Sequence, residues 1–146
     1  HGVPYTRAEY PDTLRDAEAV ADYLEVPPET VYKTLVVEVA EPGHRPLLVL
    51  VAANAVLDLK KVAAVLGVKK AAIARHADAE RLTGLQVGGI SALALLNRGF
   101  AIYIDEWATL HDTILISAGQ RGLNLRLAVD DLIRVTGAHV ADVSTD

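Results

Sequence analysis

The chain has 146 residues, a net charge of −5 and no cysteine, and 51% of its residues are hydrophobic. This length and composition predict a compact protein with one domain over residues 1–146, and they exclude a disordered chain. The absence of cysteine excludes disulfides, thiolate metal sites and a cysteine nucleophile. No apolar run is long enough to cross a bilayer, so we expect a soluble protein.

The first half of the chain alternates short β-forming and helical segments. Prolines limit the strands, and residues that favour helix caps precede the helices. The segment 46–53 is apolar on both faces, which is typical of a central strand of a sheet. The predicted elements are an edge strand at 3–10, a helix from Asp12 or Thr13 to about Leu24, strands at 31–39 and 46–53, and a helix capped by Asp58 and ended by Gly67.

The second half is richer in strands and contains two glycine-bearing turns. The run 85–91 is β-forming but is broken by Gly88 and Gly89, where the backbone can turn sharply or approach a ligand closely. The predicted elements are an extended segment at 68–73, a short helix at 78–83, strands at 100–105 and 139–143, a hairpin of 113–117 with 123–127, and a helix at 129–136. This order predicts an α+β fold with one mixed, curved sheet.

Lys33 is the unusual residue of the strand at 31–39. Side chains alternate along a strand, so Lys33 shares a face with Val31 and Leu35, the more apolar of the two faces. An ammonium group there is costly unless it is paired, hydrated in a cleft, or able to reach water. Lys33 is therefore either a cleft residue for an anionic or carbonyl-bearing ligand or a side chain that reaches solvent past the sheet edge.

Basic residues are concentrated in one segment of this acidic protein. Residues 60–81 contain six lysines and arginines against two acidic residues, whereas residues 1–58 contain ten acidic residues and four basic ones. The net charge argues against non-specific coating of nucleic acid. The basic segment is either a phosphate-binding patch or a solvated helix face, and the latter is commoner.

Four motifs in register resemble one known family. They are residues 31–35, residues 57–61, Thr83 and Gly84 followed by residues 87–91, and residues 117–119 with 121–123. In this order they resemble the freestanding aminoacyl-tRNA deacylases of the YbaK/EbsC group, which are related to the editing domain inserted in bacterial prolyl-tRNA synthetases. The resemblance extends from about Tyr5 to Val143. The chain departs from the family at Ala92, where members usually have proline, so we expect a less rigid loop.

The resemblance implies both a fold and a reaction. The fold would be the editing-domain fold, with a mixed and partly barrel-like sheet and short helices around it. The reaction would be hydrolysis of the ester of mischarged tRNA for proline, with cysteine as the preferred misattached amino acid of the YbaK branch. Family members are cytoplasmic and need no metal or other cofactor. The partners would be the 3′ end of tRNA and prolyl-tRNA synthetase, and the attacking group would belong to the substrate itself, as its thiol or the neighbouring ribose hydroxyl.

We assign the expected catalytic role to Lys33 together with the loop of Gly88 and Gly89. Lys33 can hold the phosphate or carbonyl side by charge, and backbone N–H groups freed by the glycines can face a developing oxyanion or a ribose hydroxyl. The candidate substrate-binding residues come from the same motifs and from the end of the strand at 100–105. They are Tyr32, Thr34, Ile90, Ser91, Asp105, Ser117 and Gly119.

Several of these residues have equally simple structural interpretations. Asp105 either orients Lys33, or accepts from the substrate amino group, or caps the following helix. Ser117 and Gly119 form either a pocket wall or an ordinary hairpin corner. Thr34 points away from Lys33, so it is a sheet-face residue unless the strand twists at the rim.

Other chemistries have little support in the sequence. No serine lies in a Gly-x-Ser-x-Gly elbow, and the histidines show no metal-ligand spacing. Patterns for nucleotide cofactors are absent, and Arg121 is either an RNA phosphate contact or a surface arginine. Two alternatives to the deacylase remain, namely a non-catalytic module that binds tRNA or a synthetase, and a hydrolase of small esters unrelated to tRNA.

Overall fold

The computed structural model describes residues 2–96 and 98–145. The helices are α1 Ala17–Leu24, α2 Leu59–Leu66, α3 His76–Thr83 and α4 Val129–Thr136, and short 3-10 turns span Pro28–Thr30 and Glu106–Leu110. The strands are β1 Tyr5–Glu9, β2 Tyr32–Val39, β3 Leu47–Ala52, β4 Val56–Leu57, β5 Ala71–Ile73, β6 Ala101–Asp105, β7 Thr113–Ser117, β8 Leu123–Ala128, β9 His139–Ala141 and β10 Ser144–Thr145. In these residues no helix has the length and apolar character needed to span a membrane.

The main sheet has five strands in the order β5-β2-β3-β6-β9. β2 is antiparallel to β3 and β5, whereas β6 is parallel to both β3 and β9. Every residue of β3 is buried, as expected for the apolar segment 46–53, because strands flank it and both faces are covered. The prediction of an α+β fold with a mixed sheet is therefore confirmed, but the described strands form three sheets rather than the one predicted.

Two smaller antiparallel sheets accompany the main sheet. β1, β8 and β7 form one, which confirms the predicted hairpin of β7 with β8, and β10 pairs with β4 in the other. Within the described part of the chain, the strand ladders do not close into a ring. Barrel-like closure therefore stays a prediction.

The alternation of side chains along β2 and β3 divides the core between the two sheet faces. Tyr32, Val36 and Leu50 pack on one face, together with Ile90 and residues of α4. Val37, Val49 and Val51 pack on the other, where Val62 of α2 covers them. Side chains at the start of β2 point alternately to the two faces. This end of the strand lies next to the loops that form the site.

Helix α2 begins and ends where the sequence predicts. The Asp58 side chain accepts from the N–H groups of Lys60 and Lys61 at 3.0 and 3.2 Å, and Gly67 adopts a left-handed φ of 71° at the other end. Such an N-cap contributes about 1 kcal/mol to helix stability. α2 is consequently a fixed support for the second sheet face.

Two predicted elements differ in the structure. Residues 85–91 do not form a strand but a turn, because Gly88 has a φ of +91°, which the β conformation does not allow. Helix α1 begins at Ala17 rather than near Asp12, since residues after Pro11 form a turn in which Leu14 N–H donates to the Pro11 carbonyl at 3.0 Å. Both turns border the candidate site.

Candidate active site

The candidate site lies beside β2, where the edge of this strand has no partner strand. β5 pairs with β2 only over Val37–Val39. At the other end, Val31 forms an isolated parallel bridge with Leu115 of β7. Between these two contacts, residues 32–35 line a cavity of about 200 Å³. A break in the strand pairing therefore creates the pocket.

The wall of the cavity is mainly apolar and comes from several elements. It is formed by α1, the first half of β2, the start of α3, the turn that contains Gly88, and the end of β7. An apolar wall with a few convergent polar groups is the usual character of a small-molecule site. Its larger apolar residues are Val20, Leu35, Val36, Ile73, Val87 and Ile90.

Lys33 lies in this cavity and is partly buried. Its Nζ donates to the Ala53 carbonyl at 3.4 Å, which is a long hydrogen bond. No carboxylate among the described residues forms an ion pair with Lys33. The cation is therefore positioned by a weak contact and retains donors for a ligand.

The two neighbouring glycines are used differently. Gly88 lines the cavity, and its N–H has no hydrogen-bond partner among the described residues. Gly89 does not line the cavity, and its N–H donates to the Gln86 carbonyl at 2.8 Å. The expectation that both N–H groups are free is thus corrected, since only Gly88 presents a donor.

Gly89 is required for close packing instead. A Cβ atom built on Gly89 would lie 2.9 Å from both the Arg121 nitrogen and the Gln120 carbonyl carbon. Both of these atoms belong to the backbone of the turn between β7 and β8. The two glycine-bearing turns are therefore in direct contact at this residue.

Tyr32 and Thr34 both line the cavity and carry unpaired hydroxyl groups. The Tyr32 hydroxyl and the Thr34 Oγ1 are buried and have no hydrogen-bond partner in the described part of the chain. Burial raises the pKa of the Tyr32 hydroxyl, and the nearby charge of Asp105 raises it further. Tyr32 is therefore a protonated group that lacks a partner in the free protein.

The backbone of Thr34 also faces the cavity side of β2. Ala74 N–H donates to the Val36 carbonyl on the side of β5, at 2.9 Å. Backbone groups of residues two apart on a strand point to the same side, so the N–H and C=O of Thr34 point there as well. The open edge thus offers main-chain groups in addition to hydroxyls.

The remaining predicted site residues divide into two groups. Ile90 and Ser117 line the cavity, whereas Ser91 and Gly119 are not among its lining residues. The Ser91 hydroxyl accepts from Leu93 N–H at 3.1 Å, and the Gly119 N–H donates to the Ser117 hydroxyl at 3.2 Å. Ser91 and Gly119 therefore shape the turns around the cavity from behind.

Asp105 is fully buried away from the cavity lining. Its carboxylate accepts from Val143 N–H at 3.2 Å and from the Ser144 hydroxyl at 2.7 Å, and it makes no cap hydrogen bond to the following turn. The expected roles of Asp105 as a partner of Lys33, a substrate acceptor or a helix cap are therefore corrected. Asp105 anchors the C-terminal segment to β6.

Sequence reasoning missed five polar residues that line the cavity. They come from elements far apart in the chain, and no motif connects them. Asp16 carried one usable signal, because it occupies the N-cap position of α1 yet its side chain makes no capping hydrogen bond. Asn124 is only 4% exposed although its side chain is polar, and it lines the cavity. The five are Tyr10, Arg15, Asp16, His76 and Asn124.

The predicted basic segment is partly neutralised by acidic neighbours. Lys61 contacts Asp142 at 3.0 Å, and Asp78 contacts both Arg75 at 3.0 Å and Arg81 at 3.3 Å. The side chains of Lys60, Lys69 and Lys70 are exposed and form no ion pair with any described residue. A smaller set of free lysines therefore remains on this surface.

Comparisons with known proteins identify the family. The aminoacyl-tRNA editing domain matches residues 12–135. A protein of Enterococcus faecalis that is named as a Cys-tRNA(Pro)/Cys-tRNA(Cys) deacylase, EbsC, is 33% identical over 99% of this chain and 88% of its own length.

Solved structures share the fold. A protein described as a trans-editing enzyme for prolyl-tRNA synthetase is 27% identical, with a TM-score of 0.83 over 97% of this chain and 87% of that one. The hypothetical protein APE2540 has a TM-score of 0.88 at 24% identity, over 99% of this chain and 93% of its own. The family match covers most of the chain, so the chain belongs to the aminoacyl-tRNA editing domain family, and the prediction of an aminoacyl-tRNA deacylase is confirmed.

Proposed function

We propose that this protein hydrolyses the ester bond of mischarged tRNA for proline, with Cys-tRNA(Pro) as the favoured substrate. The Enterococcus faecalis relative, named as a Cys-tRNA(Pro)/Cys-tRNA(Cys) deacylase, supports this choice of tRNA and amino acid. One structural observation carries the proposal, namely that the same small cavity is lined by Lys33 and by Gly88, whose N–H is unpaired among the described residues. A cation and a neutral donor at one site suit an acyl ester that develops negative charge on its carbonyl oxygen.

The catalytic contribution of the protein would be placement and electrostatics. Lys33 and Gly88 N–H would bind the ester carbonyl and stabilise the oxyanion that forms in the transition state. The chain has no cysteine. The thiol of the substrate, held close by the cavity wall, would attack the ester carbonyl; the bond from this carbon to the ribose oxygen would break, that oxygen would take up the thiol proton, and water would then open the cyclic thioester. Alternatively, the neighbouring ribose hydroxyl would orient a water molecule that attacks the carbonyl and releases the tRNA hydroxyl.

The size of the cavity suits the aminoacyl group rather than the nucleotide. Sites that enclose a drug-sized ligand measure about 300 to 1,000 Å³, whereas this cavity measures about 200 Å³. A small acyl group would fill it, while the terminal adenosine would remain at the open mouth. Tyr32, Thr34, Ile90 and Ser117 would then contact the acyl group or the ribose.

The tRNA itself would bind outside the cavity. Arg15 lies at the mouth, and the exposed Lys69 and Lys70 precede β5, which leads into the cavity wall at Ile73. Lysine and arginine side chains that contact phosphates add salt-dependent affinity without sequence preference. Because the substrate would be charged tRNA, we expect the protein to act in the cytoplasm, with prolyl-tRNA synthetase as a candidate partner.

The test is deacylation of purified Cys-tRNA(Pro), Ala-tRNA(Pro) and Pro-tRNA(Pro) by wild-type and Lys33→Ala proteins. We expect wild-type activity on one mischarged tRNA and a loss of about 100-fold or more in Lys33→Ala, the size typical for removal of a transition-state donor. Lys60→Ala is the matched control, because Lys60 is an exposed lysine on α2. Equal rates for wild type and Lys33→Ala would refute the proposal. Salt-dependent tRNA binding without turnover would favour a binding module instead.

A further inference from the structure

Val87, the residue that precedes Gly88, is held by two charged side chains from different elements. The N–H of Val87 donates to Glu80 Oε2 of α3 at 2.9 Å. The carbonyl of Val87 accepts from Arg121 Nε of the turn between β7 and β8 at 2.7 Å. Both contacts are partly buried. A turn residue is thus fixed on both of its backbone groups by a carboxylate and a guanidinium.

The contact with Arg121 acts directly on the donor of Gly88. The carbonyl of Val87 and the N–H of Gly88 belong to the same peptide group, and in a trans peptide they point in opposite directions. The carbonyl points to Arg121, so the N–H of Gly88 points away from it, and this N–H is unpaired among the described residues. The orientation of the free donor is therefore set by Arg121.

The charge of Arg121 also strengthens that donor. Hydrogen bonds from an ionised donor are short and strong, and a hydrogen bond to a carbonyl polarises the peptide so that its N–H becomes a better donor. The positive charge additionally stabilises negative charge that develops near Gly88. Arg121 therefore sets both the orientation of the Gly88 N–H and the electrostatic potential around it, without contacting the substrate.

Close packing shows that the contact is part of a continuous interface between the two turns. A Cβ on Gly88 would lie 3.5 Å from Arg121 Nε and 3.5 Å from Arg15 Cα, whereas one on Gly89 would meet the backbone of Gln120 and Arg121. The three consecutive residues 87–89 all meet the same turn. Movement of this turn would consequently move the donor.

We propose that Glu80 and Arg121 are positioning residues of the deacylation reaction: Glu80 holds the N–H of Val87, and Arg121 holds and polarises the Val87–Gly88 peptide so that the Gly88 N–H binds the ester carbonyl. This inference depends on the proposed function. It gives Arg121 a role that uses Nε alone, and the other N–H groups of the guanidinium stay available to further partners.

The kinetic test uses Arg121→Gln, Arg121→Lys and Glu80→Leu with the substrate on which the wild type is active. We expect kcat to fall about 10- to 100-fold in Arg121→Gln, less than the loss from removing an oxyanion donor outright, with KM changed less than about threefold. Arg121→Lys keeps the charge and one donor, so we expect it to recover part of kcat. Arg134→Gln and Glu18→Gln are the matched controls, since both residues are exposed on helices.

Amide hydrogen exchange of the free protein measures how strongly the backbone N–H groups of Val87 and Gly88 are protected from solvent, without any substrate. Glu80→Leu should accelerate exchange at Val87 about tenfold, the effect of losing one hydrogen bond, while core amides of β3 stay protected. Arg121→Gln should accelerate exchange within residues 87–89. Arg121→Lys serves as the test variant if Arg121→Gln does not fold at the assay temperature.

The possible failures are distinguishable. A wild type that deacylates none of the tRNAs would overturn the proposed function. An active wild type whose Arg121→Gln variant retains its kcat, or whose exchange at residues 87–89 is unchanged, would overturn the positioning role. A loss of kcat that Arg121→Lys partly restores, with faster exchange confined to the turn, would support it.

Discussion

The two halves of β2 have a similar, β-forming composition but opposite roles. In the second half, Val37–Val39 pair with β3 or β5, and Val37 is fully buried in the core. In the first half, residues 32–35 pair with β3 only, and the other edge opens into the cavity that holds Lys33. Both halves have the β-forming composition of one strand. The comparison teaches that the site is created by where the neighbouring strands stop, not by β2 itself.

The largest expected contrast is between Lys33→Ala and Val37→Ala. Val37→Ala removes buried methyl groups from the paired half, so we expect it to lower the free energy of unfolding by about 2 kcal/mol. Its kcat should stay close to that of wild type. Lys33→Ala should do the reverse, with a large loss of activity and little change in Tm. Urea unfolding and deacylation assays on both variants check this, with Val65→Ala, exposed on α2, as the control.

The wall opposite the open half depends on the contact between the two turns, and Gly89→Ala should break it. The new Cβ would overlap backbone atoms at 2.9 Å, and such overpacking costs about 1 to 3 kcal/mol. We expect a lower Tm together with a lower kcat, because the Gly88 donor moves. Gly137→Ala is the comparison variant: it strains a φ of +67° but meets no atom within 4 Å. Gly137→Ala should lower Tm and leave kcat unchanged. Equal kcat values in Gly89→Ala and Gly137→Ala would argue against a link between the turn contact and the Gly88 donor.

The unpaired hydroxyl of Tyr32 should distinguish function from stability in the open half. Tyr32→Phe removes a buried group that has no partner, so the free energy of unfolding should be unchanged or rise by up to about 1 kcal/mol. Activity should fall, since the hydroxyl would lose its contact with the substrate. Tm and kcat/KM of Tyr32→Phe, compared with Tyr23→Phe on the exposed face of α1, test this. A lower Tm with normal kcat/KM would show that the hydroxyl is structural.

The smallest expected effect concerns α3, which borders the open half. Hydrogen bonds from Arg75 and, to a smaller extent, from Arg81 hold the pKa of the Asp78 carboxyl below its usual range. A lowered folded pKa means that the stabilisation is present above the unfolded pKa and is lost as pH falls through the folded pKa. Asp78→Asn should therefore be slightly less stable than wild type at pH 7, and the difference should vanish in acid. Thermal melts of both proteins from pH 7 down into the acid range measure it, and a difference that does not shrink as the pH falls would contradict the assignment.

Much of the scaffold could be predicted from the sequence because its signals are local. The cap at Asp58, the glycine at 67 and the apolar run of β3 each depend on a few adjacent residues. The run 85–91 was predicted as β-forming but broken at its two glycines, where the backbone can turn sharply. The turn at Gly88, with its positive φ, is present, whereas no strand forms on either side of it.

The candidate site was predictable only where one residue was unusual in its own element. Lys33 stands out in an apolar strand, whereas Asn124 and Tyr10 enter the cavity through the pairing of β1 with β8. Asp105 shows that an unusual residue can also mislead the prediction of a site. A carboxylate at a strand end has the same sequence pattern whether it faces a ligand or, as here, the backbone of Val143.

The open edge of β2 also bears on how the protein avoids self-association. An unpaired strand edge is a template onto which another chain can add a strand, and it promotes aggregation when it is long and accessible. Here the unpaired stretch is only residues 32–35, and it is enclosed by α1 and the turn of Gly88. The main chain of Thr34 thus remains reachable for a small group while a second polypeptide is sterically shut out.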